Sequence, residues 1–318
     1  MPEPGLEAGL SAPVEEAMNI AVIVNPTAGR GRGMRIWQSL LPAVRESRHN
    51  VEPLFTRGAG DATRLAAQTA AAGADRVVSL GGDGTLFETV NGLVGTGAAL
   101  GVIPGGTGND FCRAMGIPRT PREALDVAFG DYTVQVDVGQ KLDRYFINAA
   151  GVGLDAEVCR ETNAIPKYFG GTVPYLVGVG KALIKFRPRP VTIDVDGQVT
   201  TQPITLLAIA NGQYYGAGMH IAPDADPTDG WFDLVRAGDL SLPELLRALP
   251  RLYPGTHLSL PKVTVSRGRR VTITSDYPLP VQLDGEVAGT LPVTIQLLPS
   301  ALTVAAPLDA AVTPGTTR

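Results

Sequence analysis

Three glycine-bearing loops hold the residues with the most chemistry in them. They are "NPTAGRGRG" from Asn25, "GGDGT" from Gly81, and "PGGTGNDF" from Pro104. Glycine lets the backbone approach a phosphate closely and turn its N–H groups inward, and a following helix N-terminus adds positive potential. Any one of these loops reads equally well as a tight turn. Three at one sheet edge are hard to read that way. Thr85 and Thr107 offer hydroxyls to phosphate oxygens. Asn109 and Asp110 stand either as caps of the following helix or as ligand contacts. Asp83, between Gly82 and Gly84, would repel a phosphate unless a cation lay between them. It is therefore expected to face Mg²⁺ or its water shell. No Walker A pattern occurs, and no clean GxGxxG follows a strand.

The elements that must position these loops alternate. "NIAVIVNP", "VEPLFT", "DRVVSL" and "AALGVIP" are apolar runs with β character. Helix-like patterns separate them: Met34 to Val44, "GDATRLAAQTAAAGA", "LFETVNGLV", "NDFCRAMG" and "PREALDVAFG". This alternation predicts a doubly wound α/β domain with a mostly parallel sheet, in which ligands sit at the carboxyl ends of the strands. After "YTVQVDVGQ" short strands dominate, among them "RYFINAAGVG", "PVTIDVDGQV", "GWFDLVRAG", "RRVTITS" and "VTIQLLPS". They predict a larger, mainly antiparallel β-sandwich or barrel. Helices are expected near Ala164 to Phe186 and at "LSLPELLRALPRLY". The expected division is a tail over 1–17, an α/β domain over 18–137, a β-rich domain over 138–298 and a tail over 309–318.

Composition narrows the class. The 318 residues carry 27 basic and 31 acidic side chains, a net charge of -4, which argues against a nucleic-acid protein with a broad basic face. The two cysteines, Cys112 and Cys159, have no metal-ligand spacing and make no disulfide framework, so a reducing, cytoplasmic setting is expected. The acidic N-terminal stretch has no basic n-region, and no run of 18 apolar residues exists. Any membrane contact is expected to be peripheral.

"SLGGDGTLFETVNGL" followed by "GVIPGGTGNDFCRAMGIP" resembles the catalytic domain of diacylglycerol kinases, whose relatives include sphingosine, ceramide and bacterial lipid kinases. The resemblance extends through "VNPTAGRGRG", "FINAAGVGLDAEV", "NGQYYGAGMHIAPDADPTDGWFDLVRA" and "VQLDGEV", roughly residues 19 to 305. One departure is Ala217, between Gly216 and Gly218, where the family often has three glycines.

The resemblance implies transfer of the γ-phosphoryl of ATP to a lipid hydroxyl, in a cleft between the two domains. Residues near 299–308 would then return to complete the first domain. Asp284 of "DGE" looks like the general base, with Glu286 orienting it or tuning its pKa from the same strand face. Without the family, Asp284-Gly285 reads as the tip of a hairpin. Asp229 looks like the carboxylate ligand of a Mg²⁺ completed by the carbonyls of Asp226 and Trp231; on composition alone this loop is a surface turn. Asp83, Asp110 and Asp137 look like acidic residues linking metal, water and nucleotide. Asn25, Arg30 and Thr107 look like phosphate contacts, with Gly81, Gly82, Gly84, Thr85, Gly105, Gly106 and Asn109 in the ATP loops.

A lipid substrate implies peripheral contact with the inner face of the membrane. "VPYLVGVGKALIKFRPRP", Val173 to Pro190, and "SRGRR", Ser266 to Arg270, are the basic candidates, though the first reads more readily as a helix packed on the sandwich with a solvated end, and the second is no stronger a signal. Homodimers are common among such relatives. Two other readings compete: a soluble-substrate kinase of the NAD kinase type, and a nucleotide- or lipid-binding regulator without turnover.

Overall fold

The computed structural model describes residues 16–163, 180, 182–183 and 186–308. Most of the basic segment 173–190 and nearly all of both expected tails lie outside these residues.

Four parallel strands form the first half: β1 (Asn19–Val24), β2 (Asn50–Phe55), β3 (Arg76–Gly81) and β4 (Ala99–Pro104). Their order is β2-β1-β3-β4. β3 is buried throughout, as a strand covered on both faces must be, whereas β2, at the edge, is partly exposed and tolerates Pro53. The covering helices are α1 (Ala28–Glu46), α2 (Asp61–Ala71), α3 (Asp83–Leu93), α4 (Asp110–Ala114) and α5 (Pro121–Phe129). The chain leaves β1 towards β2 on one side and reaches β3 on the other. The carboxyl ends of β1 and β3 therefore flank a switch point, where such sheets bind ligands. All three glycine loops emerge at this edge.

The same sheet continues into the second half. β5 (Thr133–Lys141) forms a hairpin with β6 (Arg144–Phe146), and β18 (Val293–Ala305) pairs with β5, with β15 (Arg270–Thr274) and, at Val304, with Leu100 of β4. β8 (Arg189–Val195) and β9 (Gln198–Ile204) finish it, giving ten strands. A second, antiparallel sheet has β14 (Val263–Gly268), β13 (Phe232–Ala237), β10 (Leu206–Ala210), β7 (Ala149–Gly153), β16 (Pro280–Leu283) and β17 (Glu286–Thr290) in that order. Phe146, Ile193, Ile209, Phe232, Val281 and Ile295 fill the space between the sheets. Each fully buried side chain of this size contributes roughly 1.5–3 kcal/mol, so the sandwich is a second core in its own right. α6 (Leu154–Asn163), a short hairpin of β11 (Tyr214–Tyr215) and β12 (Met219–His220), and α7 (Leu242–Leu252) complete the elements used below.

"RYFINAAGVG" is not one strand. It breaks between β6 and β7, because the N–H groups of Ile147, Asn148 and Ala149 turn towards Asp284 instead of a neighbouring strand. Among the described residues, no helix is long and apolar enough to cross a membrane.

Candidate active site

The glycine loops pack against one another with no room for side chains. A Cβ on Gly106 would lie 2.5 Å from Gly82 Cα, and one on Gly29 would lie 2.6 Å from the Gly105 carbonyl oxygen. The Gly105 N–H donates to Gly81 O at 2.7 Å. Gly29, Arg30 and Gly31 all take left-handed backbone, φ +55, +59 and +83, which interrupts the start of α1. Asn25 Nδ2 donates to Thr85 Oγ1 at 2.9 Å, and Asn25 Oδ1 accepts both the N–H and the hydroxyl of Thr27. Asn25, Gly82, Gly84, Thr85 and Glu286 line one open cleft of 830 Å³. Arg30, Gly81, Gly105, Gly106, Thr107, Asn109 and Asp110 stand behind or beside it, outside its lining.

Both oxygens of Asp83 are engaged by backbone. Oδ2 accepts the Asn109 N–H and Oδ1 the Asp110 N–H, each at 2.9 Å. Asp83 therefore caps α4 from another loop, where the sequence suggests a cation opposite it. A Cβ on Gly108 would fall 2.5 Å from Asp83 Oδ2, so this approach requires glycine there. The Asn109 side chain bonds Gly106 on both its oxygen and its nitrogen, so it braces its own loop and does not cap the helix. Asp110 Oδ2 accepts the Ala217 N–H at 2.9 Å, tying this edge to the second half. Burial, and then the nearby Asp83 charge, raise the Asp110 pKa. Ala217 takes φ +66, so alanine is held in the conformation that the family's glycine would adopt freely.

Asp137 joins the halves. Its Oδ1 accepts the Ser300 N–H and its Oδ2 the Gly230 N–H, both at 2.7 Å, while its own N–H donates to Pro227 O at 2.7 Å. Burial raises its pKa despite these donors.

Asp284 occupies a hairpin tip between β16 and β17, with φ +46, followed by Gly285 at φ +86. Two positive φ values are what a two-residue type I′ hairpin requires. The hairpin reading and the catalytic reading of "DGE" thus describe the same turn. The carboxylate is caged by three N–H donors: Ile147 on Oδ2 at 2.8 Å, and Asn148 and Ala149 on Oδ1 at 2.9 Å. Burial of the carboxyl outweighs these donors, and the Asp83 charge adds to it, raising the pKa to about 6. Glu286 lies beyond the turn, so the two acids do not share a regular strand face, and burial is the largest cause of that shift. It reaches instead towards the glycine loops, with Oε1 3.7 Å from where a side chain on Gly84 would begin.

The diacylglycerol kinase catalytic domain family matches residues 19–141, and the YegS C-terminal NAD kinase beta sandwich-like domain matches residues 148–306. A diacylglycerol kinase of Mycobacterium tuberculosis is 31% identical over 300 residues, covering 92% of this chain and 96% of that one. A diacylglycerol kinase of Bacillus subtilis is 33% identical over 274 residues, covering 85% and 90%. The crystal structure of a diacylglycerol kinase from Bacillus anthracis superposes with a TM-score of 0.75 at 26% identity, covering 93% and 99%.

The chain belongs to the diacylglycerol kinase family.

It is an ATP-dependent kinase, and its α/β and sandwich halves are the family's architecture. Two groups of acids differ in how they suit Mg²⁺, which is commonly held by one or two carboxylates, waters and substrate phosphates. Asp110 Oδ1 is buried and accepts no hydrogen bond among the described residues, so it fits a hydrated cation. The Asp226–Trp231 loop is already satisfied. Asp229 Oδ2 pairs with Arg267 Nη1 at 3.1 Å, and its Oδ1 accepts the Trp231 N–H; Asp226 Oδ1 accepts the N–H and hydroxyl of Thr228. A cation on Asp229 would have to displace that arginine. No group of three or more His, Cys, Asp or Glu among the described residues could hold a metal ion.

Arg144 is a cleft residue that sequence reasoning missed. It lies over the Phe87 ring at 5.3 Å and donates to Val287 O at 3.3 Å, presenting a cation to the kinase cleft from the second half. A lone arginine in a hairpin carries no motif, so nothing in the sequence marks it.

Proposed function

We propose that this kinase transfers the γ-phosphoryl of ATP to a lipid hydroxyl, with diacylglycerol as acceptor and phosphatidic acid as product. The observation that carries this reading is Asp284. It is a caged, buried carboxyl with a pKa of about 6, next to a glycine-lined cleft of 830 Å³. A carboxylate with that pKa is mostly ionised at neutral pH yet basic enough to accept a proton. Asp284 takes the proton of the acceptor hydroxyl. That oxygen bonds to the γ-phosphorus as the bond from the γ-phosphorus to the bridging oxygen breaks, and ADP leaves. Such transfer needs positioning and charge stabilisation more than a strong nucleophile. Backbone N–H groups of the Gly82–Thr85 loop, with Asn25 and Arg144 on the cleft wall and Arg30 beside it, supply donors and positive charge for the phosphates, while the Gly105 and Gly106 N–H groups, held by Gly81 O and Asn109 Oδ1, brace the loop behind them. Mg²⁺ would be held by Asp110, with Asp83 behind it, together with the nucleotide, and would neutralise charge on the phosphate oxygens. Asp229, Asp226 and Trp231 shape the buttressing loop. Asp137 fixes that loop to β18. A lipid acceptor implies peripheral contact with a membrane.

Labelled phosphate transfer from ATP–Mg²⁺ tests this reading. The acceptors are mixed micelles of diacylglycerol, ceramide, sphingosine or phosphatidylglycerol, with NAD as the soluble control. Labelled phosphatidic acid is the expected product. Label on NAD and on no lipid would favour the soluble-substrate reading, which the description of the matched sandwich domain also suggests. ATP binding without labelled product would favour a regulator.

A further inference from the structure

Asp155 lies in the first turn of α6 and is 8% exposed, yet none of the chemistry above uses it. Its Oδ2 accepts the Gln282 Nε2–H at 3.2 Å, and its Oδ1 accepts no hydrogen bond among the described residues. Gln282 is 1% exposed and stands on β16, two residues before Asp284. Its amide oxygen accepts the Gly285 N–H at 2.7 Å. A carboxamide has a donor end and an acceptor end. With Asp155 on the donor end, the acceptor end must face the turn. The chain of contacts therefore runs from a buried carboxyl, through one amide, to the residue that follows the base.

The backbone accommodates this arrangement. Gly151 pairs with Gln282 across the β7–β16 ladder, and a Cβ there would overlap Asp155 Oδ2. The turn also needs support. Asp284 has a Cβ and a φ of +46, a conformation that L-residues disfavour. The Ile147–Ala149 N–H groups hold its side chain on one side of the turn, and Gln282 holds the backbone on the other.

We infer that Asp155 is a positioning residue for the base: through Gln282 it locks the Asp284–Gly285 turn, so that the Asp284 carboxyl stays in its cage. This rests on the reading of Asp284 as the base. Cutting the chain at either link frees the turn and lets the carboxyl swing away from the acceptor hydroxyl. The glycine loops that hold ATP are untouched.

The test compares Asp155→Ala, Gln282→Ala, the double variant and Asp155→Asn in diacylglycerol phosphorylation, with Asp284→Asn alongside and thermal unfolding for each. Each alanine variant is expected to lower kcat by roughly 10- to 100-fold with KM for ATP unchanged. The double variant should be no slower than the worse single, because both cut one chain. Asp155→Asn should recover most of the rate, since its amide oxygen still accepts from Gln282. Multiplying losses, unchanged kcat, no rescue by asparagine, or a loss confined to KM for the lipid would overturn the proposal. The last of these would place Asp155 against the acceptor. If Asp155→Ala does not fold, Gln282→Ala and Asp155→Asn still decide. Near-normal turnover in Asp284→Asn would instead bring down the base assignment, whereas an inactive Asp284→Asn beside a fully active Gln282→Ala would sink the positioning role alone.

Discussion

Asp83 and Asp110 are bound through one hydrogen bond, in which the Asp110 N–H donates to Asp83 Oδ1 at 2.9 Å. The loops after β3 and β4 thus meet at two neighbouring carboxylates, and one oxygen of the second, Asp110 Oδ1, has no partner among the described residues. The cleft edge is therefore a fixed arrangement of backbone donors with negative charge behind it, a setting that favours nucleotide bound together with a cation.

Gly106→Ala should push these loops apart. The new Cβ would lie 2.5 Å from Gly82 Cα, backbone against backbone, with no flexible side chain to yield. Steady-state kinetics should show KM for ATP raised by about tenfold or more while the far-UV spectrum stays native, because a tenfold change needs only about 1.4 kcal/mol.

Arg144→Ala should remove a cation that faces the cleft from the second half. KM for ATP should rise several-fold, on the order of 1 kcal/mol, with a smaller change in KM for the lipid. Arg144→Lys should recover only part of this, since lysine lacks the planar face that lies over Phe87.

Asp137→Ala should destabilise the junction between the halves. It leaves the Ser300 and Gly230 N–H groups without their carboxylate partner. Denaturant unfolding should show a loss of roughly 2–4 kcal/mol, from two charge-assisted bonds and the donors left unpaired.

Asp155 carries a pH signature of stability. Burial raises its pKa from the usual 3.8 to about 6. The folded state therefore holds a proton that the unfolded state has released, and stability falls as pH rises through this window. Asp155→Asn removes that dependence. The Tm of the variant minus that of wild type should be smallest near about pH 4 and should grow towards about pH 7. A flat difference would mean that Asp155 titrates like an exposed carboxyl.

The glycine loops were legible because each follows an apolar run with β character, and strand order brings them to one edge. The two architectures were legible from the change in period after β5. Asp284 was visible only through the family resemblance, since Asp-Gly at a hairpin tip is also ordinary turn chemistry. Its cage was not legible. The donors lie 135 to 137 residues away and are backbone N–H groups of Ile147 to Ala149, which leave no side-chain signal. For the same reason, Asp83 read as a cation ligand when its oxygens meet backbone in a loop about 26 residues on. The expected effect of Glu286 on Asp284 assumed an unbroken strand. The left-handed turn at Asp284 and Gly285 separates the two, so burial raises the pKa instead.

The central claim is that Asp284 is the base, and the pH dependence of kcat for diacylglycerol phosphorylation tests it most directly. Wild type and Asp284→Asn would be compared from about pH 4.5 to about pH 8 with ATP and Mg²⁺ saturating. The deprotonated carboxylate is the active form, so the wild-type rate should fall to half as pH drops to about 6. Asp284→Asn should be slower by roughly 10²–10⁴-fold at every pH, without that inflection. A variant that turns over near the wild-type rate, or one that keeps the same inflection, would contradict the account.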